Sequence, residues 1–268
     1  MPDNKIKILF FGDVVGSIGR QGIKNILPAW RKKYKPDLVI ANIENLAHGS
    51  GLTQKTVADI EECGIQIYTG GNHIWRKEEL TNFLDLKIAT PINDVRTLPE
   101  HRYQKIEIKG ASITVVNLMA ESLNKDETIS NPFTFMQDLL PELDGQIIVV
   151  DIHAEFTSEK RGIGFLLDGK ATAVIGTHTH VPTADAQILP GGTGYITDVG
   201  MVGAFHSSIG IDKDLMLQKF LTGEKITHEL PEPSQIEINA LLLEVDKDSK
   251  KTTKIQHLRE IISAQNID

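Results

Sequence analysis

Short apolar runs alternate with helically spaced segments through the first part of this chain, and that alternation restricts the fold more than anything else in the sequence. Ile6 to Phe11 is a β-branched and aromatic run ending in Gly12-Asp13, after which Ile23, Ile26, Leu27 and Trp30 recur on one helix face. Asp37 to Asn42 reads as a second buried strand and Thr53 to Glu62 as a second helix. Ile65 to Tyr68 reads as a third strand, entering Gly70-Gly71-Asn72-His73. Strand and helix repeated in this order predict a parallel-type sheet covered by helices. A helix is also expected around Lys77 to Leu84. Beyond it strands dominate: Lys105 to Ile108 and Ser112 to Leu118 flank a Lys109-Gly110 turn, and Ile147 to Ile152 and Ala173 to Ile175 are further apolar runs. Ile236 to Val245 and Lys254 to Leu258 look like a closing hairpin around Asp246 to Lys250. The expected fold class is α/β, with two mixed β-sheets packed face to face and flanked by helices. At 268 residues, 40% of them hydrophobic, the chain is expected to form a single domain over 1–268.

The polar residues fall in a pattern of their own. Five runs end in metal-capable side chains: Gly12-Asp13, Asn42-Ile43-Glu44-Asn45, Gly71-Asn72-His73, Asp151-Ile152-His153 and Gly176-Thr177-His178-Thr179-His180. Each has an ordinary reading alone. An Asp after a strand is commonly a turn residue or helix cap, and Asn-His after Gly-Gly is commonly a turn. Ligands of α/β sheets bind beyond the carboxyl ends of the strands, so the clusters are expected to converge there. Carboxylate, amide oxygen and imidazole together suit Mn, Fe or Zn, whereas Ca and Mg sites are dominated by oxygen. His178 and His180, two apart in a segment read as extended, are expected to project to one side and serve two adjacent ions. Glu44 has two oxygens with which to bridge them.

Composition narrows the partners. A net charge of −8 repels polyanions, so extended nucleic-acid binding is not expected, and a phosphate-bearing small molecule must be drawn in locally. Cys63 is the single cysteine, which excludes an internal disulfide and a thiolate-rich zinc site and fits a reducing, cytoplasmic compartment. It is expected to be buried filler. No apolar run is long enough to cross a bilayer, and no export signal is recognisable. Residues 229–235 read as a surface loop. His101, His228, His257 and the Lys160-Arg161 pair read as solvated surface, and His48 and His206 as loop residues. Trp75 and Phe205 read as packing aromatics, and Asp151, Asp185 and Asp198 as turn or cap residues.

These clusters resemble the metallophosphoesterase (calcineurin-like) superfamily, with departures: no histidine follows Asp13 by two residues, Glu44-Asn45 replaces the second motif, and no acid follows His73. The departures match the bacterial 2′,3′-cyclic-nucleotide 2′-phosphodiesterase subfamily. Its motifs are similar to Gly12-Asp-Val-Val-Gly16, Glu44-Asn-Leu-Ala-His-Gly49, Gly71-Asn-His-Ile-Trp75, His153-Ala-Glu155, Gly176-Thr-His-Thr-His-Val181 and Thr197-Asp-Val-Gly-Met201. The resemblance implies a four-layer αββα sandwich and two divalent or mixed-valence transition-metal ions, Fe or Mn with Zn as the further candidate. It implies one ion on Asp13, Glu44, Asn45 and His180 and another on Glu44, Asn72, His153 and His178, so that Glu44 bridges. It gives His73 the part of proton donor to the leaving oxygen, a cyclic nucleotide or related phosphoester as substrate, and a homo-oligomeric state. Two readings compete: a broader phosphatase or nuclease on the same site, and a non-catalytic regulatory protein that binds metal and nucleotide.

Overall fold

The protein is described by a computed structural model covering residues 4–124, 127–227, 229–232 and 234–264. His228 and Pro233, the latter in the loop expected over 229–235, lie outside these described residues. In chain order the strands are β1 (Lys5–Val14), β2 (Leu38–Asn42), β3 (Ile67–Thr69), β4 (Ile88–Ala89), β5 (Gln104–Ile108), β6 (Ala111–Met119) and β7 (Ile147–His153), followed by β8 (Ala173–Thr177), β9 (Gln187–Ile188), β10 (Gly194–Ile196), β11 (Met201–Ala204), β12 (Gln235–Asp246) and β13 (Thr252–Ser263). They form a seven-stranded sheet, β13-β12-β11-β1-β2-β3-β4, and a six-stranded sheet, β5-β6-β7-β8-β10-β9. Both are mixed: β1 to β4 run parallel, while β12 runs antiparallel to β1 and β5 antiparallel to β6.

Alternation along the strands sorts side chains into three cores. Ile147 and Val149 of β7 join Ile113 and Val115 of β6 and Ile6, Ile8, Phe10, Leu38 and Ile40 of the first sheet in the layer between the sheets. Ile148, Val150 and Ile152 face the other way, onto Met136 and Leu139 of α3 (Pro132–Leu139) and Ile163 of α4 (Thr157–Leu166). On the far side of the first sheet, Leu9, Phe11, Val39 and Ala41 pack on α1 (Gly16–Tyr34) and α2 (Gln54–Glu61). The layers are thus helix, sheet, sheet, helix. A last helix, α5 (Lys213–Thr222), buries only Met216. Among the described residues no helix is long and apolar enough to cross a membrane.

Local chemistry sets the boundaries. α2 starts at a capping box in which Thr53 and Thr56 exchange side-chain and backbone bonds. α1 ends where Lys35 turns left-handed after three basic residues in the last turn, which suit the negative end of the helix dipole. The β5–β6 hairpin closes through Lys109 and Gly110, both at positive φ as a two-residue turn requires.

Four expectations need correction. The segment over Lys77 to Leu84 forms only a 3₁₀ turn at Leu80–Phe83, because Lys77 is left-handed and its backbone bridges to Leu52. Cys63 is half-buried in the turn after α2, not core filler. His101 is fully buried, since the Pro99–His101 turn folds inward and gives its carbonyl to Thr90 N–H. His257 is half-buried, with Nε2 donating to the Val199 carbonyl at 2.8 Å.

Candidate metal centre

The face that packs one sheet on the other turns polar at the carboxyl ends of the strands. The inward parity of β2, β6, β7 and β8 continues past Ile40, Val115, Val149 and Ile175 to Asn42, Asn117, Asp151, His153 and Thr177, all buried. In β1 the same parity would leave Asp13 on the helix side with Leu9 and Phe11. A register shift between Phe11 and Asp13 inserts one residue, so that Phe11 pairs with Ala41 and Asp13 with Asn42, and Asp13 turns inward. Gly12 is the inserted residue, and a Cβ there would collide with the Gly200 carbonyl.

What converges is a compact set of donors. One ligand atom from each of Glu44, His153 and His178 lies within 4.8 Å of the others. His153 Nε2 is 2.9 Å from Asn72 Oδ1, 3.1 Å from His178 Nδ1 and 3.3 Å from Glu44 Oε1. On the other side of Glu44, Asp13 Oδ1 stands 3.7 Å from His180 Nε2, which is 3.3 Å from Asn45 Nδ2. Glu44 Oε2 accepts the His73 backbone N–H at 2.8 Å. Gly71 borders the centre closely: a methyl there would overlap both Glu44 and His153.

The chemistry of these atoms suits a metal. Asp13 is fully buried and its Oδ1 has no hydrogen-bond partner. Burial pushes its carboxyl upward, opposed by His180 and His153. An unpaired buried carboxylate oxygen is costly unless a cation meets it. The proton affinities of these groups follow from the same crowding. Burial would raise Glu44 and lower His153, yet each overrides burial in favour of the other: Glu44 is depressed by the His153 and His73 charges, and His153 is pushed up to about 9 by Glu44 and Asp13. His178 is driven down to about 2 by burial and by His153.

The imidazoles are oriented from behind. His153 Nδ1 lies 2.9 Å from Thr177 Oγ1, which donates to Asp151 Oδ1 at 2.7 Å, so the ring N–H points away from the centre and Nε2 toward it. Asp151 Oδ2 accepts from Asn42 Nδ2 at 3.1 Å, and Asn42 also donates to the Gly70 carbonyl and accepts the Glu44 N–H. One buried amide thus ties together the segments carrying Glu44, Asn72 and His153. His180 Nδ1 donates to the Ile209 carbonyl at 2.9 Å, and His178 Nε2 meets Glu155 Oε2 at 3.0 Å.

Some particulars differ from expectation. His178 and His180 follow β8 in a left-handed turn, with φ of 94° and 64°, rather than in an extended segment. Asn45 presents its amide nitrogen to His180 and Glu44 and its oxygen to His73 Nδ1 at 2.8 Å, so its oxygen reaches the metal side only if the amide turns over. Lys160 is fully buried, its Nζ 2.7 Å from Asp198 Oδ2, while Arg161 is exposed. Asp198 is therefore more than a turn residue, and Asp151 supports His153. Asp185 keeps its turn role, accepting from Thr183 and Thr197. His48 and His206 are exposed, and Trp75 packs under the Arg96 guanidinium at 4.0 Å. Asn42, Thr177 and Glu155 stood inside the sequence motifs but carried no signal separating them from turn residues. A cavity of about 660 Å³ at the opposite ends of β7 and β8, lined by Gln146, Lys170, Lys250 and Lys251, holds none of these groups.

Comparison with known proteins gives the relationships. The model of the family described as YmdB-like protein matches residues 9–258. The chain is 37% identical over 257 residues to the 2′,3′-cyclic-nucleotide 2′-phosphodiesterase of Bacillus subtilis (strain 168), covering 94% of this chain and 96% of that protein. The crystal structure of a novel phosphatase from Mycoplasma pneumoniae matches with a TM-score of 0.91 at 36% identity, over 97% of this chain and 94% of that one. The 5′-nucleotidase precursor of Thermus thermophilus shares the fold alone, with a TM-score of 0.60 at 14% identity over 97% of this chain and 55% of that one.

Proposed function

The chain belongs to the YmdB-like protein family, and from that premise we propose that it is a metal-dependent hydrolase of phosphoesters whose substrates are 2′,3′-cyclic nucleotides, opened to 3′-nucleotides. The observation that carries the reading is the convergence of Asp13, Asn45, Asn72, His153, His178 and His180 on the two sides of Glu44, with the buried Asp13 Oδ1 accepting no hydrogen bond. Two ions of Fe or Mn, or of Zn, are proposed, one on Asp13, Glu44 and His180 with Asn45 after its amide turns, the other on Glu44, Asn72, His153 and His178. When bound, such ions acidify water and neutralise charge on phosphoryl oxygens.

The protein's own part is placement and proton delivery. His73 is the non-ligand imidazole at the centre, its side chain 24% exposed and its backbone N–H fixed by Glu44. With Nδ1–H given to Asn45 Oδ1, as found, Nε2 is free to carry a second proton. Burial lowers its pKa, the Glu44 charge opposes this, and an anionic phosphodiester alongside favours the imidazolium further. Attack of a water oxygen forms a new bond to phosphorus as the bond to the 2′ oxygen breaks; His73 supplies that oxygen's proton, and the proton that the water gives up restores His73 through solvent. Turning the Asn45 amide to serve as a ligand takes its oxygen away from His73, and Glu44 Oε1, 3.5 Å from Nδ1, is then the acceptor that keeps the imidazolium in place as the acid. The acidic chain lacks a basic stripe for long nucleic acid, which favours a small substrate.

The test is metal analysis of the purified protein beside hydrolysis of 2′,3′-cyclic, 3′,5′-cyclic and aryl phosphates. Bound transition metal and preference for the 2′,3′-cyclic esters are expected. Absence of metal after aerobic and anaerobic preparation refutes the centre, and preference for another ester refutes the substrate.

A further inference from the structure

The turn that carries His178 and His180 is gripped by a buried charge pair to which the chemistry above gives no part. Left-handed backbone at two non-glycine residues is unfavourable and persists only where surroundings impose it. The grip is on Thr179, the residue between them. Asp198 Oδ2 accepts the Thr179 backbone N–H at 3.1 Å and its hydroxyl at 2.7 Å, while Oδ1 accepts Gly200 N–H at 2.8 Å. Lys160 reaches this carboxylate from α4, with Nζ 2.7 Å from Asp198 Oδ2 and 3.4 Å from Thr179 Oγ1. Both members are fully buried, so neither touches substrate. Gly176, at the end of β8, leaves room for the lysine stem: a Cβ there would lie 3.1 Å from Lys160 Cδ and collide with the Thr197 carbonyl.

An apolar pair would fill this space without the cost of burying two charges. It would also leave the Thr179 and Gly200 N–H groups with no acceptor. A carboxylate satisfies them all, and a carboxylate this deep requires a cation, which Lys160 supplies.

We propose that Lys160 and Asp198 are positioning residues for the metal centre: the pair holds the Thr179 turn in its left-handed form and so aims both imidazoles before any metal arrives. The proposal rests on reading His178 and His180 as metal ligands.

The experiment compares wild type with Lys160→Met/Asp198→Asn, which removes both charges and leaves no buried ion unpaired. Asn offers one oxygen where Asp198 uses two, so the Thr179 or the Gly200 donors lose their acceptor. The expected result is a folded variant whose Thr179 amide exchanges hydrogen at least tenfold faster in the metal-free protein and which binds Mn²⁺ at least tenfold more weakly. Wild-type exchange and Mn²⁺ affinity in that variant overturn the proposal. Thr179→Ala keeps the ion pair and removes only the hydroxyl, so it decides the matter if the double variant does not fold: at least threefold weaker Mn²⁺ binding is expected, and unchanged binding refutes the grip. If wild type binds no Mn²⁺, the metal reading falls, while Thr179 exchange still tells whether the pair holds the turn.

Discussion

Gly71→Ala is the sharpest test of whether the donors work as one centre. The added methyl carbon falls 2.5 Å from His153 Cε1 and nearer still to His153 Nε2 and Glu44 Oε2. Ordinary contact is about 3.5–4.0 Å, so one or both side chains must retreat by about 1 Å. Neither has slack. His153 is fully buried and tied through Nδ1 to Thr177, and Glu44 is 1% exposed and holds the His73 N–H at 2.8 Å. A misplacement of about 1 Å costs roughly 100-fold in rate, equivalent to about 2.7 kcal/mol of transition-state stabilisation. The assay is steady-state hydrolysis of an aryl phosphodiester, with metal content and thermal midpoint measured on the same preparation. A fall of this size with the fold intact is expected. Wild-type turnover and full metal content in Gly71→Ala would show that Glu44 and His153 do not hold a common centre.

Three further outcomes are expected. His73→Ala should retain metal and lose about 10²- to 10⁴-fold in turnover of 2′,3′-cyclic nucleotides; hydrolysis as fast as wild type rejects the proton-donor assignment. Thr177→Val deletes the hydroxyl between His153 and Asp151. It should weaken Mn²⁺ binding about 10- to 100-fold and cost about 1–3 kcal/mol in denaturant unfolding, and an unchanged titration would remove Thr177 from the centre. In the metal-free protein His153 keeps its proton up to about pH 9, because Glu44 outweighs burial. A ligating imidazole must be neutral, so Mn²⁺ uptake near pH 7.5 should release a proton and affinity should rise with pH until about 9. The sign for stability is the reverse: this raised pKa stabilises the metal-free fold below the unfolded value of about 6.5, a contribution lost as pH climbs through about 9. Calorimetry in buffers of different ionisation heat checks the release, and zero protons released is the refuting result.

Much of the fold was legible because its signals are local and periodic. Ile147 to Ile152 alternates between two cores, Thr53 caps a helix, and Lys109-Gly110 closes a hairpin within a few residues of what they organise. The convergence of the polar clusters was legible because they stand where strands end. What could not be read depended on partners distant in the chain. Lys160 looked like a surface cation because nothing nearby in sequence shows that Asp198, thirty-eight residues on, waits beneath it. His101 sits among charged residues yet turns inward. The bulge at Gly12 is invisible without Gly200, whose carbonyl forbids a side chain there. The turn at His178 and His180 fails the extended reading because Asp198 captures Thr179 and bends the chain.

The division of the donors between the sheets explains why this centre sits where it does. Asp13 lies near the end of β1, and Glu44, Asn45 and Asn72 follow β2 and β3 of the same sheet, whereas His153 ends β7 and His178 and His180 follow β8 in the other. The first sheet therefore contributes the carboxylates and amides, and the second the imidazoles. A bond between the sheets, Asn42 to Asp151, lies directly behind them. The two buried carboxylates Asp13 and Glu44 disfavour one another, and the charge on His153 offsets this only while it keeps its proton. On the proposed reading a bound cation would meet Asp13 Oδ1, and His153, once it gives up that proton, would be among the residues that hold it. If these donors hold metal as proposed, the cation binds at the polar end of an otherwise apolar interface, and sheet packing and metal binding are coupled through one equilibrium.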